Sequence, residues 1–463
     1  MSNFRILSSV LDISRVRLGS LFSRRQRSRA SGQTTTGPTT EPARTDGEDD
    51  GEFKLPRMAS LVIVQLSAAL LQVTFFIIVS SSNEYAQHLG GTSTFSGLVI
   101  GIPTVFSGLA LVPLMKLDQG GYKRPLHFSC GTALLGNVLY GLAYHANYLY
   151  LILIGRIVAG FGFTFWMYSK RYCSDPRIVG IRRRTTLAGW LVLGQGAGFS
   201  IGPFIGGLLY KVGFSNTIFN GFTSPAWVMA GMWALFWIAA TIFFEDVPRQ
   251  PVASPATEMQ SIGTPQLNST EDAAKAPDTE SLRIMTTEVP SAEPELRRLS
   301  APQWGVTATM CWFAMTCFFI LGAWESNIPV FTGSYSPLSP FHFSPFAAGN
   351  LIALGGACAF PFLIANVFLA RRVQDRHTLA LGTSLGLAGL IIALAILSAR
   401  RVNYGSLFMC WFLVALGFNL ASTCTLSLLS KQLPGSWNGR ISLAIQYSNY
   451  TGRVTGAVGA ARA

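Results

Sequence analysis

Gly198-Phe-Ser-Ile-Gly202-Pro203-Phe-Ile-Gly206-Gly207 holds no charged side chain and places glycines four residues apart. On a helix such residues share a face, so Gly198, Gly202 and Gly206 make a flat strip against which another helix can lie. Pro203 withholds one backbone donor in the middle and bends the helix. The stretch sits in an apolar run, residues 186–209. Such a run crosses about 30 Å of hydrocarbon as a helix.

Ten more runs of this kind follow or precede it, at 59–80, 94–115, 127–145, 148–169, 224–244, 305–329, 345–369, 378–398, 405–429 and 441–461. The last is the most polar, with Gln446, Asn449 and Arg453. Helices satisfy their own backbone, so repeated runs of this length mean an all-α membrane protein. Composition agrees. Only 12% of the 463 residues are charged, about half the roughly 25% of a soluble globular chain. That excludes an ordinary soluble enzyme, and collagen-like, coiled-coil and largely disordered chains with it.

The runs divide the chain. Residues 1–57 are a cytosolic tail without an apolar run, 58–246 hold six segments, 247–303 a proline- and Ser/Thr-rich break, and 304–463 five segments. The break cannot bury enough surface to fold and is expected to be a disordered cytosolic linker. In the tail, Phe4, Leu7, Val10, Leu11, Leu18, Leu21 and Phe22 recur at helical spacing among arginines. Either a helix lies on an anionic leaflet there, or the arginines only enforce topology. No cleavable signal peptide opens the chain, so the first segment is expected to direct insertion.

With the N-terminus in the cytosol, 29 Lys/Arg lie on the cytosolic side and 3 on the other. This asymmetry sets the orientation and accounts for the net charge of +13. The basic residues are dispersed over short loops, which disfavours nucleic acid as a partner. None of the seven cysteines falls in an outward loop, and Cys173 is placed in a cytosolic loop. No metal-ligand spacing and no nucleophile–base pair is present, so neither cofactor nor catalysis is expected.

Three motifs in order resemble the major facilitator superfamily. The loop after the second segment contains Asp118, Gly121, Lys123 and Arg124, similar to D-x-x-G-x-[RK]-[RK]. It departs from the family at Leu114, where Gly is usual, and at Gln119, where a basic residue is usual. The fourth segment carries Arg156, Gly160 and Gly162, similar to R-x-x-x-G-x-G. The opening stretch, Gly198 through Gly207 with Pro203, resembles the fifth-helix motif associated with proton-coupled antiporters. Two further pieces, Arg171-Tyr172-x-x-Asp175 and Glu325-Ser326-x-x-Pro329, resemble a eukaryotic branch with lysosomal ceroid-lipofuscinosis-type and vacuolar SPX–facilitator members. There a threonine stands at the place of Ser326, and the tail here is too short for an SPX domain.

The resemblance implies a two-half helical bundle, of which about eleven spans are present and a twelfth is missing. It implies a monomeric secondary transporter, in a vacuolar, lysosomal or plasma membrane, that carries a small solute by alternating access and in which protons can be coupled. The other readings are a non-transporting or truncated relative and an anion channel on the same fold. A charge inside the bilayer is a functional candidate by default. Arg156 and Glu325 are therefore the charged candidates, with Arg453 as an alternative partner of Glu325. Gln72, Thr74, Asn327 and Asn419 are expected, from the superfamily plan, to face the cavity.

Overall fold

A computed structural model describes residues 54–117, 120–175, 177–213, 216–247, 299–335, 339–369, 373–433 and 437–460. Asp118, the candidate amphipathic tail and residues 248–298 of the expected linker lie outside these. The elements are α1 (Met58–Phe76), α2 (Ser82–His88), α3 (Ser93–Lys116), α4 (Lys123–His145), α5 (Leu149–Gly162), α6 (Phe165–Ser174), α7 (Ile181–Val212) and α8 (Ser224–Phe243). The second half has α9 (Ala301–Gly333), α10 (Pro345–Leu369), α11 (Asp375–Ser398), α12 (Tyr404–Gln432) and α13 (Asn438–Ala460). No strand occurs among the described residues.

All eleven expected segments are helical, with three informative differences. The first stops at Phe76, and the chain turns before α2. The fourth breaks at Phe163 and Thr164 into α5 and α6, so that Cys173, expected in a loop, is a buried residue of α6. The seventh runs to Gly333, which puts Glu325 well inside α9 rather than near its end. Among the described residues nine helices are long and apolar enough to cross a membrane, with α5 and α6 counted as one. Helices α4 and α13 are not among them. Lys123, Arg124 and two histidines dilute α4, and Arg440, Gln446, Asn449 and Arg453 dilute α13.

Within the first half α1 packs on α7, α5 on α3 and α4, and α8 on α4 and α1; in the second α13 packs on α9 and α12 on α9, α10 and α11. The halves meet along two seams, α7 against α10 and α3 against α13. The glycine stretch explains the first. A Cβ on Gly198 would lie 2.8 Å from Gln72 Cβ, and one on Gly202 2.7 Å from Phe76 Cβ, so this face abuts α1. Gly206 likewise abuts the carbonyl of Ile77. On the other side a Cβ on Gly207 would lie 2.9 Å from Phe346 Cα, and one on Gly349 2.5 Å from the Pro203 oxygen. Helix α7 is thus clasped between its own half and the opposite one. The second seam carries hydrogen bonds. The Tyr447 hydroxyl donates to the Gly108 carbonyl at 2.8 Å, and the Ser107 hydroxyl to the Tyr450 oxygen at 3.1 Å.

At the basic end a polar clamp binds the loops of the first half. Gly120 takes φ +78°, a left-handed turn that suits glycine. Gly121 has no Cβ to obstruct Asp246, whose Oδ1 accepts from the Tyr122 backbone N–H at 2.7 Å, at the start of α4. A carboxylate is favoured there by the helix dipole. Asp175 accepts from the Tyr122 hydroxyl at 2.8 Å and from Arg177 Nε and Nη2 at 3.0 and 2.6 Å. Arg177 Nη2 also donates to the Gly120 carbonyl at 2.7 Å, and Lys54 Nζ donates to that of Arg177 at 2.7 Å. Lys123 and Arg124 are exposed.

Gly206→Leu should abolish the monodisperse species in size-exclusion chromatography, because its side chain must enter the α1 backbone. Gly231→Ala, in open space, should leave the profile unchanged; equal profiles would refute the packing role.

Burial alone would raise the Asp175 carboxyl, but the bonds from Arg177 and Tyr122 outweigh it and hold the group below its ordinary range. Its stabilisation is present above about pH 4 and lost as pH falls through the depressed folded value. Asp175→Asn should cost about 1–3 kcal/mol at neutral pH and flatten the acid limb of a thermal-shift profile. A variant as stable and as acid-sensitive as the parent would contradict the clamp.

Candidate functional site

Two interruptions of helical hydrogen bonding create the cradle for Arg156. Where α1 ends, its last carbonyls lack intrahelical partners. Arg156 Nη1 donates to the Thr74 carbonyl at 3.3 Å and Nη2 to that of Phe75 at 3.5 Å. In α3, Pro103 has no N–H to offer the carbonyl four residues earlier. That carbonyl belongs to Val99, and Arg156 Nε donates to it at 3.2 Å. A cation is favoured at a helix C-terminus. Arg156 is 2% exposed and has three carbonyl partners but no carboxylate among the described residues. Gly160 and Gly162 bring α5 close: their missing Cβ atoms would lie 2.8 Å from the Pro103 oxygen and 3.0 Å from the Ser129 oxygen.

The second charged group lies across the ring of Phe75. Arg453 Nη2 of α13 is hydrogen-bonded to Glu325 Oε2 of α9. Small residues allow this. A Cβ on Gly322 would stand 3.2 Å from Arg453 Cα, and Gly452 and Gly456 abut the backbone of Met315 and Phe319. Pro329 deprives the carbonyl of Glu325 of its helical donor, so the backbone there is polar as well as the side chain. The Glu325 side chain is 2% exposed, which excludes a hydrated position at a helix end.

Phe75 joins the two guanidiniums and the two halves. Arg453 Cζ lies over Phe75 at 4.5 Å, over Phe76 at 5.0 Å and over Phe318 at 5.9 Å, and Arg156 Cζ lies over Phe75 at 5.7 Å. Such contacts stabilise a desolvated cation by about 2 kcal/mol. Aromatic packing continues from Phe76 to Phe199 of α7, Trp411 of α12 and Trp324 of α9. Arg156, singled out in the sequence, and Arg453 thus lie over one ring, and Arg453 is the partner of Glu325, the other charged candidate.

Apart from the Thr74 carbonyl that accepts from Arg156, the polar candidates do not join this cluster. Thr74 is buried, donates to its own Leu70 carbonyl and accepts from the Trp233 indole at 2.8 Å. Gln72 is pressed against Gly198. Asn419 Nδ2 turns back to the Ala415 carbonyl at 2.7 Å. Asn327 lines a cavity of about 190 Å³ among α9, α11, α12 and α13, with Trp324, Phe331 and Cys410. Sequence reasoning missed Phe75 and Phe76. Their signal was only an aromatic pair near the end of the 59–80 run, which no local pattern distinguishes from core.

The sequence profile of the Major Facilitator Superfamily matches residues 61–457. Two MFS-type transporters of Schizosaccharomyces pombe are similar, one 31% identical over 88% of this chain and 77% of its own length. The other is 28% identical over 91% and 80%. An SPX domain-containing membrane protein of Arabidopsis thaliana is 35% identical over 42% of this chain and 27% of its own length. Among solved structures, a bacterial homologue of the human lysosomal transporter Spinster, inward-facing and unoccupied, aligns with a TM-score of 0.59 at 12% identity, covering 86% of this chain and 80% of that one. A D-xylose–proton symporter aligns at 0.56 and 15%, covering 87% and 89%. These structural likenesses concern the fold. The profile match and the yeast relatives carry the assignment: the chain is a multi-pass membrane transporter and belongs to the Major Facilitator Superfamily.

Proposed function

We propose that this protein is a secondary transporter that moves a small solute by alternating access, with a proton carried by Glu325. The observation that carries the reading is the Glu325–Arg453 pair, buried in the second half and resting on Phe75 and Phe76 of the first. An ion pair at membrane depth is costly to desolvate, which makes it a functional candidate. Rocking of the halves about the two seams would expose the pair to one side and then the other. The basic loops support a cytosolic N-terminus. A vacuolar, lysosomal or plasma membrane suits the coupling, since each maintains a proton gradient. The glycine stretch adds no argument for antiport, because helix packing accounts for every residue in it.

Glu325→Gln should keep the shape of the site, leave expression unchanged and abolish the effect of a pH gradient on solute flux into proteoliposomes. Flux with its pH dependence intact would place coupling elsewhere. A wild-type current insensitive to the proton gradient would favour a channel.

Arg156→Lys should fail as well. An ammonium cannot fork to three carbonyls on two helices, so the loss should appear as a lower melting temperature, by several degrees, together with reduced flux. Unchanged stability and flux would show that the charge alone suffices.

A further inference from the structure

Two arginines placed three and two residues ahead of a hydroxyl suit a protein kinase whose substrate groove is acidic. The pattern occurs in Arg182-Arg183-Arg184 before Thr185 and Thr186, and in Arg297-Arg298-Leu299 before Ser300. The structure separates the two places. Thr185 and Thr186 belong to α7, where the backbone is committed to the helix, whereas a kinase takes its substrate as an extended stretch. Ser300 is the N-cap of α9, with an extended backbone at φ −72° and ψ 159°, and it is exposed. Its neighbours hold the start of α9 on the rest of the second half. Leu299 packs against an apolar cluster of Ala314, Leu429, Leu433, Ile441 and Ile445. Gln303 Nε2 donates to the Gln432 carbonyl at 3.4 Å, and the Trp304 ring meets that of Trp437 edge-on at 5.9 Å.

We propose that Ser300 is a phosphorylation site for an arginine-directed protein kinase, and that the phosphate, once attached, caps α9 more firmly than the hydroxyl. This goes beyond the transporter reading and rests only on its cytosolic N-terminus, which puts Ser300 on the side where nucleoside triphosphate is supplied. Ser300 Oγ forms a bond to the γ-phosphorus of the triphosphate held by the kinase. The bond from that phosphorus to the β–γ bridging oxygen breaks, the hydroxyl proton passes to a carboxylate of the kinase, and the nucleoside diphosphate leaves.

Access asks little of the fold. Ser300 is already extended, so only Leu299 and the first turn of α9 have to leave their places, and helix ends open at far lower free energy than the whole molecule. The product favours return. A phosphoserine carries a charge of about −1.5 to −2 near neutral pH, and here it stands at the positive end of the α9 dipole. The N–H groups of Ala301 and Gln303 lie in the first turn, where the helix itself offers them no acceptor. The phosphate oxygens accept from them, and the turn docks again with Leu299 in its cluster. Glu325 is further along the same helix, about 37 Å away at 1.5 Å per residue, so the modification acts on the docking of α9 and not on the proton.

The test treats the purified full-length chain with the catalytic subunit of the cyclic-AMP-dependent kinase and labelled ATP, and locates the label by mass spectrometry. The expected result is label at Ser300 and none at Thr185 or Thr186. Ser300→Ala should lose it, and Arg297→Ala combined with Arg298→Ala should slow it at least tenfold. Leu299→Ala frees the turn and should speed labelling severalfold in the folded protein, yet leave the rate unchanged in a peptide of residues 292–304. The phosphorylated parent should melt about 2 °C or more above the untreated protein, and Ser300→Ala treated in the same way should show no gain. Label absent from Ser300, or equally strong at Thr186, would overturn the site. A melting temperature that the phosphate leaves unchanged or lowers would overturn the firmer cap. In sealed organelle vesicles, whose outer face is cytosolic, Ser300 should be labelled without permeabilisation. Label only after permeabilisation would overturn the proposal together with the orientation it rests on, while leaving proton-coupled transport standing.

Discussion

A guanidinium at membrane depth cannot be left without acceptors, and in this protein the backbone is broken to supply them. The end of α1 at Phe76 and the missing N–H of Pro103 free the three carbonyls that hold Arg156. Had α1 continued as a regular helix through the following residues, the oxygens of Thr74 and Phe75 would have been spent within it. The interruption also fixes Phe75 and Phe76, whose rings then meet Arg453 from the opposite half. One electrostatic requirement in α5 thus determines where α1 stops and what the second half packs against.

The glycines are the complement of this arrangement. Gly198, Gly202 and Gly206 let α7 lie along α1, and Gly207 and Pro203 meet α10 on the other side. In the second half Gly322, Gly452 and Gly456 do the same between α9 and α13 and bring Arg453 within reach of Glu325. Without hydrophobic driving force inside a bilayer, close backbone approach is what holds helices together. It also leaves little room for water around the charges.

Much of this was legible in the sequence. Apolar run length located all eleven helical segments, and the cost of charge in hydrocarbon singled out Arg156, Glu325 and Arg453. The spacing of four pointed to a packed face on α7. The facing of Gln72, Thr74, Asn327 and Asn419 was not legible. These helices are apolar all round, so no amphipathic stripe says which side meets a cavity, a neighbour or lipid. Thr74 shows the consequence: its hydroxyl serves the Trp233 indole of α8. The break after Phe76 was hidden because the group that uses its freed carbonyls, Arg156, is far away in sequence. The clamp at Asp175 shows the opposite case, since Arg177 lies two residues on, yet its partners Tyr122 and Gly120 come from another loop.

The central claim is that Glu325 carries the coupled proton. Infrared difference spectroscopy on the reconstituted protein tests it most directly, by following the carbonyl stretch of a protonated carboxylic acid. The account predicts that this band appears at neutral pH when a transported solute is added, with loss of the matching carboxylate band, and that Glu325→Gln lacks both changes. A Glu325 band that is the same with and without solute, or that is absent throughout the titration, would contradict it.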